Sequence, residues 1–223
     1  MSKQEVLVDT VFFHKLSNEG KNLEDFKAVL DKLEYRPVVH PYIADCEMSM
    51  FGYFEKLRSE GYIRVAEYSE FLQDDVDKTM YSLQFKDVHD KMRQALEKKG
   101  GKKQLDELVI PPNQTIFTMR KSQMSLGDVH MILMAFYTKI PIILTDDSDL
   151  ELLRGLVHSH FDSDTYNLEI LDTADVLMKI AILEETTLSK AKLVEILRSI
   201  GKLNSSCPVP LTGTYYCKDS GWK

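Results

Sequence analysis

Four groups of carboxylates occupy positions where they could do chemistry. The first lies in Lys139-Ile140-Pro141-Ile142-Ile143-Leu144-Thr145-Asp146-Asp147-Ser148-Asp149-Leu150. A short β-branched run ends there in Thr145 and three acids. It reads as a buried strand delivering carboxylates to the end of a sheet, where open α/β folds place their ligands. The bland alternative is that these acids cap the next helix and stay solvated. Asp9 sits inside Glu-Val-Leu-Val-Asp-Thr-Val-Phe-Phe, residues 5–13. An unpaired charge buried in such a run is penalised, so Asp9 belongs at the strand's carboxyl end, facing a polar crevice. A turn-forming Asp that binds nearby amides explains it equally well. Asp45 and Glu47 open a helix, where the macrodipole suffices to explain acids, and spacing does not choose between them. Asp128 completes Ser125-Leu126-Gly127-Asp128, a capping-box pattern that accounts for it fully.

The elements that must position these residues alternate. A strand at 5–13 leads through a polar turn to a helix capped by Asn22, with Leu23, Phe26, Val29, Leu30 and Leu33 on one face. Tyr35-Arg36-Pro37 stops that helix, and Val38 to Ile43 is a short extended piece broken by Pro41. A helix from Ala44 carries Met48, Phe51, Phe54 and Leu57, and Gly61 closes it. A short strand follows at Tyr62 to Ala66. Residues 74–99 predict helix with Val76, Met80, Leu83, Val88, Met92 and Leu96 inward and a break near Phe85. With the irregular stretch after it, the region 74–121 reads as a helical insertion beside the sheet, a lid or substrate wall. A helix after Ser125, the strand before Thr145, a helix over 149–156, a strand at 166–171 and helices at 173–182 and 189–200 complete the pattern. The alternation predicts an α/β three-layer sandwich with a mainly parallel central sheet, one domain over 1–201, and an irregular tail over 202–223. His130 reads as a surface or half-buried histidine, and His158-Ser159-His160 as a polar turn.

The 223 residues suffice for one sizeable core, and 43% hydrophobic with 28% charged residues is ordinary for a soluble globular chain. No apolar run is long enough to span a membrane and no signal peptide opens the chain, so a cytoplasmic location is expected. Cys46, Cys207 and Cys217 show no paired-ligand spacing and read as free thiols. A net charge of −7 argues against a surface built for non-specific nucleic-acid binding. It leaves room for a nuclease, whose metal site must itself be acidic. Lys98-Lys99-Gly100-Gly101-Lys102-Lys103 is the one conspicuous basic run and reads as a solvated loop. There is no Gly-rich dinucleotide loop, P-loop or serine elbow. Asp9-Thr10-Val11 lacks the second acid of a nucleophilic-Asp phosphatase.

The order of the acids resembles that of the PIN-domain nucleases. Val6-Leu7-Val8-Asp9-Thr10 is similar to that family's opening strand and first acid, and Glu47 to its helical glutamate. Asp128 before Val129-His130-Met131-Ile132-Leu133-Met134-Ala135 resembles its third acid. Ile143-Leu144-Thr145-Asp146-Asp147-Ser148-Asp149-Leu150 resembles its closing Thr-x-Asp-x-Asp segment, which selects Asp147 as the fourth acid and Asp149 as an auxiliary. The match covers about 5–57 and 122–182. Val11, where many members carry Asn, and the Met-rich helix after Asp128 depart from the pattern.

The resemblance implies metal-dependent hydrolysis of phosphodiester bonds in single-stranded RNA. Its catalytic residues would be Asp9, Glu47, Asp128 and Asp147. Mg²⁺ or Mn²⁺ would be held by Asp9 and Asp147, with Asp128 and Asp149 beside them, because hard oxygen donors suit these ions. Thr145 would hold a water or phosphate oxygen, or else bond to backbone. Crowded carboxylates without metal should include at least one with a raised pKa. Asp146 is expected to be solvated. RNA is the expected partner. A catalytically inactive PIN-like module that binds RNA or a protein, a second copy of the chain included, is the alternative, and a small-molecule phosphatase a more remote one.

Overall fold

A computed structural model of the chain describes residues 3–99, 105–119, 125–147, 149–160, 166–183 and 190–199. The tail over 202–223, with Cys207 and Cys217, and residues 100–103 of the basic run lie outside them. Among the described residues five strands form one sheet: β1 (Gln4–Val8), β2 (Tyr35–Val39), β3 (Arg64–Val65), β4 (Ile142–Leu144) and β5 (Glu169–Leu171). Their order is 3-2-1-4-5 and every pairing is parallel. Starting at β1, the chain winds outward to β3 and then returns to the other side of β1 to add β4 and β5. The reversal opens a crevice at the carboxyl ends of β1 and β4, the place where open parallel sheets bind ligands.

Helices cover the sheet in two layers. In one, α1 (Thr10–Leu16) and α2 (Leu23–Lys32) pack with α9 (Thr173–Ile182), against which α10 (Lys190–Ser199) also lies. In the other, α7 (Leu126–Thr138) is central, touching β4, α3 (Pro41–Ile43), α5 (Tyr68–Phe71) and α6 (Asp75–Lys99). There α6 also packs on α8 (Leu150–His160). A π-helical turn (Ala44–Met48) continues α3 and precedes α4 (Gly52–Ser59). The α/β sandwich expected from the alternation is therefore present, with a wholly parallel sheet.

Several local expectations are overturned. The first strand stops at Val8, and Thr10 to Phe13 are helical: Asp9 caps α1 by accepting a hydrogen bond from the Thr10 amide. Val-Phe-Phe favours a strand, but Phe12 and Phe13 bury equally well from a helix that turns back over the sheet. Pro37 does not stop an element; it lies inside β2. It is tolerated because β3 pairs with Val38 and Val39, so among the described residues no strand pairs with the outer side of Pro37.

The helix over 75–99 runs unbroken through Phe85. Its buried stripe is Tyr81, Phe85, Val88, Met92 and Leu96, whereas Val76, Met80 and Leu83 are exposed. Heptad-like spacing keeps that stripe in register with α7 and α8, and each fully buried side chain contributes about 1.5–3 kcal/mol. Ser125 adopts a left-handed conformation and makes no capping bond, so the capping box is not formed. His158 and His160 belong to the last turn of α8 rather than a loop.

Candidate functional site

The crevice between β1 and β4 is lined by the residues that end those strands. The Asp9 amide donates to the Leu144 carbonyl at 3.0 Å, the last rung of the β1–β4 pairing. Beyond that rung both chains turn away, and their side chains face each other. The Asp9 carboxylate is buried, accepting from the Thr10 amide on Oδ1 at 2.7 Å and from the Thr145 hydroxyl on Oδ2 at 2.8 Å. Thr145 in turn accepts from the Asp147 amide at 3.2 Å. Its hydroxyl therefore couples the two acids and is bonded to a carboxylate as well as to backbone. Asp147 Oδ1 accepts from the Asp149 amide at 2.8 Å, a turn that leads the chain into α8.

Glu47 arrives from the opposite wall. A π turn packs one extra residue into a helix and re-aims the side chains on it, a device frequent at functional sites. Here Asp45 is exposed and Glu47 is half-buried, so of the two acids it is Glu47 that faces Thr10. The Thr10 hydroxyl donates to Glu47 Oε2 at 2.7 Å. Gly127 makes room for this: a Cβ there would lie 2.6 Å from Glu47 Oε1. The first turn of α7 thus lies against Glu47, and Asp128 is the next residue along that turn.

The electrostatics follow from the geometry. Burial, then the charge of Glu47, push the Asp9 carboxyl from 3.8 up to about 7; Asp147 adds to this, while the Thr145 and Thr10 hydrogen bonds oppose it. Burial raises Glu47 too, helped by Asp147 and opposed by its bond from Thr10. Asp9, Glu47 and Asp147 therefore act on one another, as expected of crowded acids without a cation. The donor set is oxygen only, the chemistry that suits Mg²⁺ or Mn²⁺. Among the described residues, no three His, Cys, Asp or Glu side chains already stand close enough together to hold a metal ion. The residues fit such an ion by chemistry and by mutual repulsion, not by a finished cage.

Asp146 is not solvated. Its side chain is buried, Oδ2 accepts a hydrogen bond from the Thr173 hydroxyl, and Lys15 Nζ lies 3.6 Å from Oδ1 and 3.3 Å from the Asp146 carbonyl. It ties α1 and α9 to the end of β4. Nor is His130 at the surface. On α7, covered by β4 on one side and α6 on the other, it is fully buried. It stacks on His40 with ring centroids 4.6 Å apart, and its Nδ1 is 2.9 Å from the Tyr81 hydroxyl. His40 Nδ1 accepts from the Tyr42 amide at 3.0 Å and so caps the short helix that runs on into the Glu47 turn. Burial lowers both histidines, His130 to about 3, so both are neutral.

Thr10, Gly127, Lys15 and Thr173 carry much of this arrangement, and none was singled out by the sequence pattern. Thr10 was concealed by the strand reading of residues 5–13. Gly127, a small residue between two candidate acids' elements, is the one for which a signal existed, since glycine early in a helix marks close approach. The class defined by fold and crevice is thus an open parallel α/β domain with three interacting carboxylates at its topological switch point. Comparison of the chain with protein-family models, curated protein sequences and solved structures finds no match. Among the described residues, no helix is long and apolar enough to cross a membrane.

Proposed function

We propose that this chain is a metal-dependent ribonuclease of PIN-like type, cutting phosphodiester bonds in single-stranded RNA. The observation that carries the reading is the buried Asp9, held near neutrality by burial and by Glu47 and Asp147 at the carboxyl ends of β1 and β4. Such a group is costly to the fold and is explained if a divalent cation offsets it in the working protein. In this reading Asp9 and Asp147 bind Mg²⁺ or Mn²⁺ directly. Glu47 and Asp128 complete the ligand set or orient water, with Asp149 auxiliary. The ion, when bound, lowers the pKa of a water and offsets charge growing at phosphorus. Thr145 and Thr10 hold Asp9 and Glu47 in place through their hydroxyls.

A second reading, a non-cleaving module that binds RNA or a protein partner, is favoured by one observation. Asp9 and Glu47 already have hydrogen-bond partners, and no three acids are gathered into a ligand set among the described residues. Calorimetry with Mn²⁺ and cleavage of single-stranded RNA separate the two. The ribonuclease binds Mn²⁺ at millimolar concentration or below and cuts; Asp9→Asn and Asp147→Asn each abolish cutting. No Mn²⁺ uptake supports the non-cleaving module. Cleavage retained in both variants removes the site assignment.

A further inference from the structure

Both walls of the carboxylate crevice continue into aromatic rings. On α1, Thr10 binds Glu47, and His14 is four residues further along, on the same face of the helix. On the opposite wall, four residues past Glu47, comes Phe51. The two meet: the His14 and Phe51 rings pack edge to face with centroids 4.2 Å apart. Tyr53 joins them, its ring 5.4 Å from Phe51 and 20° from parallel, its hydroxyl 2.6 Å from His14 Nδ1. The ring of Tyr53 lies directly over Gly20, where a Cβ would fall 2.4 Å from Cδ1. Gly20 has φ of +81°, so both the backbone and the ring above it require glycine. The trio is therefore packed closely on the backbone beneath it, yet each ring is only partly buried, and Met50 beside Phe51 is 75% exposed. Burial lowers His14, which favours its neutral form.

We propose that His14, Phe51 and Tyr53 form a stacking subsite for one unpaired nucleobase of an RNA strand whose phosphate faces Asp9, Glu47 and Asp147. This rests on the ribonuclease reading and adds to it the group that holds the substrate. Four residues of α1 rise about 6 Å, so the rings stand roughly one nucleotide from the acids. Net charge supplies the second argument. At −7 the chain gains little from counterion release, the usual source of nucleic-acid affinity. Stacking needs no positive charge and tolerates any base, because every base has a π face. A closely packed, half-exposed aromatic group continuous with an acidic phosphate site supplies what the electrostatics withhold.

The test uses the full chain with Mn²⁺, a dodecamer of oligouridylate whose linkages are nuclease-resistant phosphoramidate except for one central phosphodiester, and dodecamers of the same backbone with a single base removed at each position in turn. Phe51→Leu keeps apolar volume and removes the π face. It should lower kcat/KM on the intact oligomer roughly 5- to 150-fold, the range expected for loss of one base–aromatic stack, mainly through KM and with the protein still folded at the assay temperature, its melting temperature lowered only by the lost ring contacts with His14 and Tyr53. One of the base-deleted oligomers should be as poor a substrate for the wild type as the intact one is for Phe51→Leu, and should show no further loss with that variant. Phe51→Trp should keep activity, and its introduced indole should be quenched by the intact oligomer but not by the one lacking that base. Wild-type cleavage with Phe51→Leu unimpaired overturns the subsite alone. So does an impairment that is the same whichever base is missing. Absence of wild-type cleavage overturns the ribonuclease reading, and the subsite with it.

Discussion

Replacing Asp9 by Asn preserves its shape and removes its ionisation. In the metal-free protein this carboxyl moves from 3.8 to about 7. A carboxyl that holds its proton more tightly in the folded chain than in the unfolded one supports the fold while protonated. That support is complete below about pH 3.8 and is lost as pH rises to about 7. Three pH units at about 1.4 kcal/mol each amount to about 4 kcal/mol, of which more than half is lost between pH 5 and pH 8. Asn escapes this loss. Its carbonyl can still accept from the Thr10 amide, but its amide group replaces the oxygen to which Thr145 donates, and the Thr145 hydroxyl must turn. That rearrangement costs about 1 kcal/mol. The Asn variant should therefore be more stable than the wild type by about 3 kcal/mol at pH 8 and by under about 1 kcal/mol at pH 5. For a chain of this size the first figure corresponds to roughly 6–12 °C in melting temperature. Thermal unfolding of both proteins in EDTA, in half-unit steps from pH 5 to 8.5, measures the difference. A gap independent of pH, or a variant less stable than wild type at pH 8, would show that Asp9 is not held in its protonated form by its surroundings.

Two further outcomes follow from the same geometry. Gly127→Ala places a Cβ against the movable end of Glu47, while alanine is favoured over glycine in a helix by about 1 kcal/mol. The melting temperature should change little and Mn²⁺ affinity by calorimetry should fall at least about tenfold, since one ligand shift of about 1.4 kcal/mol has that effect; unaltered Mn²⁺ binding would separate Glu47 from the metal site. Burial lowers His130 from 6.5 to about 3, so its neutral form stabilises the fold above pH 6.5 and this stabilisation fades as pH falls toward 3. In the Asp9→Asn background, urea unfolding should show a loss of at least about 2 kcal/mol between pH 7 and pH 5, and His40 shifts in the same direction; equal midpoints at the two pH values would contradict a buried neutral pair.

The strands were legible wherever β-branched residues formed short runs. Val6 to Val8 and Ile142 to Leu144 are buried on both faces, as central parallel strands must be, and alternation with helices foretold parallel pairing. The acids at their ends were legible for the same reason, because a strand's carboxyl end is readable from where its apolar run stops. What lay beyond the sequence was how neighbours share a carboxylate. Asp146 and Asp147 are adjacent and identical in type, and take different fates because Thr173 and Lys15 arrive from α9 and α1 to cover one of them. The π turn, next to the point where α3 packs on α7, is likewise marked by no residue pattern, so Asp45 and Glu47 could not be separated by spacing. In α6 the misplaced face has a simple cause. Val76, Met80 and Leu83 are as apolar as the residues that are buried, but they precede or flank the part of the helix that α7 covers.

The shortness of β3 has a consequence for how copies of this protein meet at high concentration. A parallel sheet offers its two outer strands as templates for further pairing. On one rim the two residues of β3 leave the first half of β2 uncovered, and there Pro37 has no amide proton to donate and Arg36 holds a charge close to Glu5. On the other rim β5 is only three residues long and its Glu169 is engaged by Lys179 at 2.9 Å. Proline, charge and brevity are the devices by which natural sheets discourage edge-to-edge aggregation. Growth of the sheet from molecule to molecule is thus opposed at both rims, and the protein can keep a buried, repulsive acid cluster without adding aggregation to its burden.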